Sequence, residues 1–419
     1  MRVSTLGAKS LVFRAHKSSR YSLAALVGSI ETDPRLASLS VHAPLGLPRA
    51  TIRRELEHGP VVVAHSVMST QIARVEREIK DTRARFGRKV TLVAGGPHAS
   101  ARPRELLHMG FDYVVVGEGE ASFRELLWAL ANDKDPTAIQ GVVSKDTARF
   151  PTPRSFKPID LDNYPPFAVQ ANIVGPVEVT RGCPFRCKFC ATPFLTSGTV
   201  RHRSVESIAY WLREAVERLG FRRAWFLSPN AFSYGGRGRK VEADKLESLL
   251  KVTTSLEGLD LFFGSFPSEV RPEFVTSDLL HMFRNHVANK TIQIGLQSGS
   301  DRVLDLCRRQ HSVQQGLDAI AMAQDAGFIP HVDMIFGLPG ETDQDVDASI
   351  EICETLASQK AKIHGHVFMP LPGSEWADMP AGKLSKRTRQ ILGELSRKKI
   401  VTGSWSHQED LGKRLEPTK

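Results

Sequence analysis

The sequence contains few cysteines, and none of them precedes residue 183. The chain has five cysteines among 419 residues, and three of the five fall between residues 183 and 190. A disulfide framework needs paired cysteines distributed along a short chain, so a disulfide-stabilised fold is excluded. Cysteines that stay reduced are typical of the cytoplasm, which is therefore the expected compartment.

Long apolar runs are also missing. No stretch approaches the roughly 18 apolar residues that a membrane-spanning helix requires. The first residues include basic side chains but no apolar segment followed by a cleavage site, as a secretory signal would have. We therefore expect no membrane partner.

The charge of the chain is strongly positive without being concentrated in one segment. A formal net charge of +10 suits nucleic acid, an acidic protein or an anionic cofactor. The lysines and arginines are dispersed, and no basic ribbon rich in aromatic residues stands out. A nucleic-acid partner is therefore disfavoured.

The first 145 residues alternate strand-like apolar runs with amphipathic helical patterns, which predicts β-α-β units on a parallel sheet. The predicted strands are Val3–Leu6, Leu39–His42, Val61–Ala64, Val90–Ala94 and Tyr113–Val116. The predicted helices are Ser19–Glu31, Thr51–Glu57, Gln71–Phe86, Pro103–His108 and Ser122–Ala131. Five strands of this kind predict a flavodoxin-like (Rossmann-type) α/β domain, which binds ligands at the carboxyl ends of its strands.

Small and polar residues follow three of these strands. Glycine at a strand end lets a ligand approach the backbone closely, and serine hydroxyls beside it offer hydrogen bonds. Three such ends in succession predict one bound ligand. The candidate binding residues are Ser66, Ser69, Gly95, Gly96, Gly117, Glu118 and Gly119.

Residues 146–172 contain five prolines and predict an extended linker. In residues 173–380 the alternation resumes with six predicted strands, too few for a closed (β/α)8 barrel, so a partial (β/α)6 barrel is expected. These strands are Val177–Thr180, Ala224–Leu227, Leu261–Phe266, Thr291–Leu296, His331–Phe336 and His364–Met369. The main predicted helices are Val205–Glu217, Lys245–Leu256, Gln314–Ala326 and Asp343–Leu356. Residues 381–419 predict a helix near Leu384–Lys398 followed by a loose tail.

Cys183, Cys187 and Cys190 follow the first strand of this second unit, in the run CPFRCKFC. Thiolates are the usual ligands of [4Fe–4S] clusters. Because such a cube has four irons, three cysteines leave one iron open for an exchangeable ligand. Zinc usually takes four Cys or His ligands in paired arrangements. The chain offers no second pair, and the nearest histidine, His202, is expected to be solvated. The spacing therefore favours a catalytic cluster.

This run resembles the signature of the radical S-adenosylmethionine (SAM) superfamily, and the resemblance covers about residues 173–375. It implies a [4Fe–4S] cluster on the three cysteines and SAM on the open iron. It also implies that SAM is cleaved to a 5′-deoxyadenosyl radical with an electron from an external donor, a flavodoxin or a ferredoxin. By the same resemblance, the residues expected to contact SAM are Phe189, Ser268, Glu269, Arg271, Gln297 and Met369.

One segment departs from the superfamily pattern. Ser228-Pro229-Asn230 stands where many members carry Gly-Gly-Glu, so no contact with SAM is assigned there. The side chains that follow, Phe232 and Tyr234, are expected to face the mouth of the barrel and to help select the substrate.

The flavodoxin-like domain ahead of the barrel resembles the cobalamin-binding domain of the B12-dependent subclass. The resemblance implies cobalamin at the glycine-bearing strand ends. The chain lacks the Asp-x-His-x-x-Gly segment that gives cobalt a histidine in other cobalamin enzymes. His16 and His98 are expected to be structural or rim residues, which would leave the lower face of cobalt open or water-bound.

Methylthiotransferases share this domain order but carry three further cysteines and a C-terminal RNA-binding β domain. Residues 1–182 contain no cysteine, and the segment after residue 380 does not look like that domain. The expected function is cobalamin-dependent transfer of a methyl group to an unactivated carbon, with a protein or peptide residue such as glutamine as one candidate substrate. Cyclisation or ring rearrangement on the same cofactors, methylthiotransferase-like RNA modification and a non-catalytic binding module stay open.

Replacing Cys183, Cys187 and Cys190 by alanine should abolish formation of 5′-deoxyadenosine, because no thiolate would hold the cluster. Anaerobic incubation with SAM and dithionite, followed by chromatography of the products, measures this. Cleavage of SAM that persists in the triple variant would overturn the cluster assignment.

Overall fold

The computed structural model describes residues 7–416. The chain divides into two compact units, the first being Met1–Gly175 with Phe194–Ser197 and the second Pro176–Pro193 with Gly198–Lys419. The proline-rich segment 146–172 thus belongs to the first unit, and the residues after 380 belong to the second. Over residues 7–416, none of the helices combines the length and the apolar character of a membrane span.

The first unit is a sheet of six strands in the order β2-β1-β3-β4-β5-β6, parallel except for β6. This order, with its switch point between β1 and β3, is flavodoxin-like, as predicted. The strands are β1 (Ser10–Arg14), β2 (Ser40–His42), β3 (Val61–Ser66), β4 (Val90–Gly95), β5 (Tyr113–Val115) and β6 (Val142–Val143). The helices are α1 (Arg20–Glu31), α2 (Arg49–Glu55), α3 (Ile72–Phe86), α4 (Pro97–Ala101), α5 (Pro103–Met109) and α6 (Gly119–Ala131).

Both faces of the central strands are buried, which explains their continuous apolar runs. In β3, Val61 and Val63 face one core cluster with Leu92 and Phe111. Val62 and Ala64 alternate with them and belong to the core on the other face. Strand β3 is therefore buried on both of its faces.

The first predicted strand, Val3–Leu6, lies outside the described residues. Ser10–Arg14, which the sequence analysis did not assign, forms the central strand β1. At its end, Arg14 pairs in register with His65 of β3. The Arg14 guanidinium also donates two hydrogen bonds to the buried Glu78 carboxylate, at 3.0 and 2.8 Å.

In the second unit, the sheets follow the orders β11-β10-β7 and β12-β13-β14-β15, and an isolated parallel bridge joins Val270, in the segment after β11, to Ile294 of β12. The strands are β7 (Val177–Glu178), β8 (Thr180–Arg181), β9 (Arg201–His202), β10 (Arg223–Leu227), β11 (Asp260–Phe262), β12 (Thr291–Gln297), β13 (Ile329–Phe336), β14 (Lys362–Val367) and β15 (Val401–Thr402). The helices are α7 (Thr192–Leu195), α8 (Val205–Leu219), α9 (Ala243–Thr254), α10 (Ser277–Arg284), α11 (Asp301–Leu306), α12 (Val313–Asp325), α13 (Asp343–Ser358), α14 (Lys386–Arg397) and α15 (Trp405–Lys413). All six predicted strands are present, and they form an open partial barrel.

Three expectations about the second unit are wrong. The segment after α14 is not a loose tail, because β15 pairs with β14 and α15 follows it. His202 is not solvated, because its ring nitrogens contact Thr180 Oγ1 at 3.0 Å and the Gly236 carbonyl at 2.5 Å. Phe232 and Tyr234 do not face the mouth. Their side chains are buried, and the Tyr234 hydroxyl donates to the Arg203 carbonyl.

The loop that carries the cysteines is closed at its base. Strands β8 and β9 pair antiparallel on either side of it. Gly182, with φ of +97°, leads into Cys183, and a Cβ at position 182 would lie 1.9 Å from the Thr199 carbonyl oxygen. Only glycine fits this position. An L side chain would be strained at this positive φ, and its Cβ would collide with the backbone on the other side of the loop.

Replacing Gly182 by alanine should therefore lower the free energy of unfolding by about 2 kcal/mol or more. It should also reduce the iron bound after reconstitution, because the cysteine loop is displaced. Gly198→Ala is the matched control, since Gly198 has φ of +69° but its Cβ would come no closer than 3.9 Å to another atom. Urea denaturation and iron analysis measure both effects, and equal losses in the two variants would contradict the close-contact argument.

The buried ring of His65 predicts a pH dependence of stability. Burial, assisted by the charge of Arg14, lowers the pKa of His65 to about 3. In the unfolded chain a histidine titrates near pH 6.5, so the unfolded state takes up the proton first and stability falls with pH below that value. Between pH 7 and pH 5 this effect amounts to about 2 kcal/mol, and it should be absent in His65→Gln.

Denaturant unfolding of the full chain at several pH values measures this difference. His58→Gln, which changes an exposed histidine of the same unit, serves as the control and should behave like the wild type. Parallel pH curves for wild type and His65→Gln would refute the assignment.

Candidate active site

The three motif cysteines lie on the loop between β8 and β9. Cys187 is buried, and Cys183 and Cys190 are half-buried. The Cys190 amide donates to the Cys187 carbonyl at 3.0 Å, which turns the loop back on itself. Over residues 7–416, the one group of three or more Cys, His, Asp or Glu donors that all lie within 4.8 Å of one another is Asp333, His364 and His366.

At least one pair of the three sulfur atoms is therefore more than 4.8 Å apart. Around a zinc ion with bonds of about 2.3 Å, tetrahedral sulfur ligands approach one another to roughly 4 Å. A wider spacing of thiols on one loop suits a polynuclear cluster. This observation favours the predicted [4Fe–4S] cluster over a zinc centre.

The electrostatics of the thiols indicates that their ionised form needs a bound metal. Burial raises the pKa of Cys183 to about 11, and burial likewise raises the pKa of Cys190. The other cysteines of the group add to both shifts. Thiols with such pKa values are protonated at neutral pH, so a bound metal is needed to hold them as thiolates.

Two arginines approach the sulfur of Cys187. Arg271 Nη1 lies 3.7 Å from Cys187 Sγ, and Arg309 Nη1 lies 3.8 Å from it. The Arg271 guanidinium also packs 3.7 Å from the centre of the Phe185 ring and pairs with Glu273. The predicted contact of Arg271 with SAM stays a prediction, and the structure places its guanidinium beside Cys187. Arg309 was not predicted at all.

A cavity of about 370 Å³ opens beside this group. Its walls include Phe189, Ser268, Glu269, Gln297 and Met369, so five of the six residues predicted to contact SAM are brought together; Arg271 is not among them. The hydroxyl of Ser268 is already engaged, because it donates to the Phe226 carbonyl and accepts from the Ser228 amide. Ser268 therefore links the segment after β11 to the carboxyl end of β10.

Glu269 and Gln297 converge over Gly295. A Cβ at position 295 would lie 2.0 Å from Glu269 Oε1 and 2.7 Å from Gln297 Nε2. Burial and the nearby Asp333 carboxylate raise the pKa of Glu269 to about 7, although the charge of Arg309 opposes them. The predicted cofactor contacts thus share one cavity that is rich in hydrogen-bonding groups.

The far wall of the cavity holds a polar network that the sequence analysis missed. Asp333 of β13 is in register with His364 of β14. Its Oδ1 atom contacts His364 Nδ1 at 2.9 Å and His366 Nε2 at 3.4 Å, and Gln293 donates to it at 2.6 Å. Although burial opposes the shift, these hydrogen bonds lower the pKa of Asp333 to about 2. Alternating polar residues in β13 and β14 were the available signal.

Gln408 of α15 fixes the proton of His366. Its Oε1 accepts from the Val367 amide at 2.8 Å, so its amide nitrogen faces His366 Nδ1 at 3.2 Å and donates to it. His366 must then carry its proton on Nε2, which faces Asp333. A metal ion bound to Nε2 would require the ring proton to be on Nδ1, where it would face the N–H donor of Gln408. Asp333, His364 and His366 are therefore better suited to hydrogen bonding than to metal binding.

In the first unit, Ser66, Ser69, Gly95 and Gly96 lie at the carboxyl edge of β3 and β4. Ser22 donates to the Ser66 hydroxyl at 2.9 Å, and Ser69 Oγ lies 3.0 Å from Nδ1 of the buried His98. A Cβ on Gly95 would meet nothing within 4 Å, whereas one on Gly96 would lie 3.0 Å from the Val67 amide nitrogen. The backbone at Gly95 is therefore open to a ligand.

Apolar side chains surround this open edge. Leu45 and Leu47 follow β2, Met68 follows β3, and all three are exposed. An open strand end flanked by exposed apolar side chains suits a broad cofactor that has apolar ring faces and polar amide substituents, such as cobalamin.

The third group of predicted residues meets the proline-rich segment. Phe156 would lie 3.2 Å from a Cβ on Gly117, and the Ile159 amide donates to Glu118 at 2.9 Å. Gly119 begins α6, and a Cβ there would lie 3.0 Å from Leu26. The strand end after β5 is therefore covered by other parts of the first unit.

Comparison with protein families gives two matches in succession. The profile described as B12 binding domain matches residues 31–127, and the profile described as Radical SAM superfamily matches residues 177–353. The B12-binding match falls in the first unit, and the radical SAM match falls in the second unit apart from Phe194–Ser197.

Curated relatives include an uncharacterized methyltransferase of Pyrococcus horikoshii, 26% identical over 68% of this chain and 62% of the relative. They also include a tRNA-2-methylthio-N(6)-dimethylallyladenosine synthase of Aeromonas salmonicida, 27% identical over 49% of this chain and 42% of the relative. The chain thus spans about three-fifths or less of the length of these two relatives.

Two solved structures share the fold. The radical SAM methyltransferase TsrM from Kitasatospora setae, with tryptophan and a SAM analogue bound, has a TM-score of 0.66 at 15% identity, over 88% of this chain and 75% of that one. The cobalamin-dependent radical SAM enzyme OxsB, with aqua-cobalamin bound, has a TM-score of 0.68 at 13% identity, over 95% of this chain and 58% of that one. The two family matches show that the chain carries a B12-binding domain, on the flavodoxin-like sheet, followed by a radical SAM domain, on the partial barrel; these domains imply cobalamin, a [4Fe–4S] cluster and SAM as cofactors.

Proposed function

We propose that the chain is a radical SAM methyltransferase that transfers a methyl group to an unactivated carbon. When bound, the cluster and SAM supply a 5′-deoxyadenosyl radical that abstracts hydrogen, and cobalamin supplies the methyl group. The observation that carries the proposal is the pairing, in one chain, of a widely spaced cysteine group beside a 370 Å³ cavity with a B12-binding domain whose strand edge is open. The similarity to the methyltransferase of Pyrococcus horikoshii supports it.

In this proposal the walls of the cavity bind and orient SAM. Phe189 and Met369 border the adenine, while the Glu269 carboxylate accepts hydrogen bonds from hydroxyl groups and Gln297 faces the cofactor. The apolar side chains Ile335, Phe368 and Leu371 line the same cavity and exclude water from it. Exclusion of water protects a radical from side reactions.

Cobalamin is assigned to the carboxyl edge of the first sheet. Ser66, Ser69, Gly95 and Gly96 are proposed to line its site, and the openness of Gly95 supports this placement. Contacts of cobalamin with Gly117, Glu118 and Gly119 stay a prediction, because the proline-rich segment and α1 pack against that strand end in this structure.

A protein or peptide residue is the proposed substrate, with the side chain of glutamine as a candidate. The support lies in Asp333, His364, His366 and Gln408, which offer both hydrogen-bond donors and acceptors to the cavity, as a carboxamide requires. The net charge of +10 suits an acidic redox partner, so a flavodoxin or a ferredoxin is the proposed electron donor.

The test uses the full chain reconstituted with iron, sulfide and methylcobalamin, and SAM with a trideuterated methyl group. An extract from cells lacking the gene supplies the substrate. A trideuteromethylated peptide, together with one 5′-deoxyadenosine and one S-adenosylhomocysteine for each transfer, is the expected result. The triple Cys→Ala variant is the control and should give none of these products.

Other product patterns identify the alternatives. Formation of 5′-deoxyadenosine without S-adenosylhomocysteine would refute methyl transfer and favour cyclisation or ring rearrangement. A methylthio group on tRNA would favour the methylthiotransferase alternative, although that family's additional cysteines are missing from residues 1–182. A methylated small molecule in place of a peptide would overturn the proposed substrate class alone.

A further inference from the structure

Arg309 is a buried cation that lies between the cluster cysteines and the SAM cavity. Its side chain is 4% exposed. Nη1 lies 3.8 Å from Cys187 Sγ, while Nη2 donates to the Gly295 carbonyl and lies 3.6 Å from Glu269 Oε1. One guanidinium thus contacts a cluster ligand and a carboxylate of the cavity wall.

The chain turns sharply to place this side chain. Arg308, just after α11, has a left-handed backbone with φ of +58°, and the Arg309 amide donates to the Leu304 carbonyl at 2.8 Å. The turn directs the two side chains in different directions. Arg308 pairs with Glu375 at the surface, whereas Arg309 points inward. A non-glycine residue in this conformation costs about 1 kcal/mol, so the inward placement of Arg309 is held against strain.

The two arginines at Cys187 have different counterions. Arg271 pairs closely with Glu273, at 2.6 Å, and does not line the cavity. Glu273 also lies 3.3 Å from His311, and these contacts hold the pKa of Glu273 at about 2 against the effect of its burial. Arg309 has the looser pair with Glu269, whose carboxylate also faces the cavity. A ligand in the cavity therefore competes for the counterion of Arg309 and leaves that of Arg271 in place.

We propose that Arg309 couples occupation of the cavity to reduction of the cluster. A cationic ligand draws the Glu269 carboxylate away from Arg309. The charge of Arg309 then acts more fully on the Cys187 sulfur and stabilises the added electron. The step transfers one electron from an external reductant to the cluster, and no covalent bond changes. By linkage, the reduced cluster binds the same ligand more tightly by the same factor.

The test measures the midpoint potential of the reconstituted cluster by EPR-monitored titration, with and without aza-SAM. In this analogue a protonated nitrogen replaces the sulfonium, so the positive charge is kept and reduction breaks no carbon–sulfur bond. In the wild type, the analogue should favour the reduced cluster about tenfold, equivalent to a rise of about 59 mV for one electron. Arg309→Met should lower the potential without the analogue and abolish the rise.

Arg308→Met is the matched control, since it removes a neighbouring positive charge at the surface; it should retain the rise. Glu269→Gln should raise the potential without the analogue, because the charge of Arg309 is no longer neutralised. A full rise in Arg309→Met, or equal losses in Arg308→Met and Arg309→Met, would overturn the coupling.

If Arg309→Met binds no iron, Arg309→Lys and Glu269→Gln decide the question. An analogue-dependent rise that survives in Glu269→Gln would refute the proposal. The measurement requires neither substrate nor methyl transfer, so its failure is distinguishable from a failure of the proposed function.

Discussion

The second unit depends on holding three cysteine thiols together on one loop, where one is buried and two are half-buried. Burial alone disfavours the charged form of Cys183 and Cys190, so their ionisation requires bound metal. The protein places two guanidinium groups against the remaining cysteine, Cys187. The features around the loop follow from this requirement: Gly182 at its base and the inward turn at Arg309.

The sequence predicts most strongly where chemistry imposes local spacing. Cys183, Cys187 and Cys190 predict the cluster because their three thiols fall within eight residues of one loop. The buried strands β3 and β4 are equally clear, because both of their faces are apolar. Strand β1 was missed, since Ser10–Arg14 includes two polar residues whose partners, Glu55 and Glu78, are distant in sequence.

The residues that line the cavity were only partly predictable from the sequence. Phe189, Glu269, Gln297 and Met369 were named because each follows a recognisable segment, and the structure lines one cavity with them. Arg309, Asp333 and His366 were missed, because their roles arise from contacts between strands and helices far apart in the chain. Arg271 was assigned to SAM from the resemblance of its segment to a family segment, which did not predict that its side chain lies beside Cys187. A strand-end position identifies the neighbourhood of a residue but not the direction of its side chain.

The cavity in the second unit is lined in part by residues that lie beyond the end of the radical SAM family match. The radical SAM profile ends at residue 353, before β14 begins. Yet His364 and His366 of β14 and Gln408 of α15 form part of the cavity wall, and β15 extends the sheet beside them. The segment that the family profile matches is therefore shorter than the segment that encloses the cavity. A fragment cut at the boundary of sequence similarity would retain every motif cysteine and lose one side of the chamber.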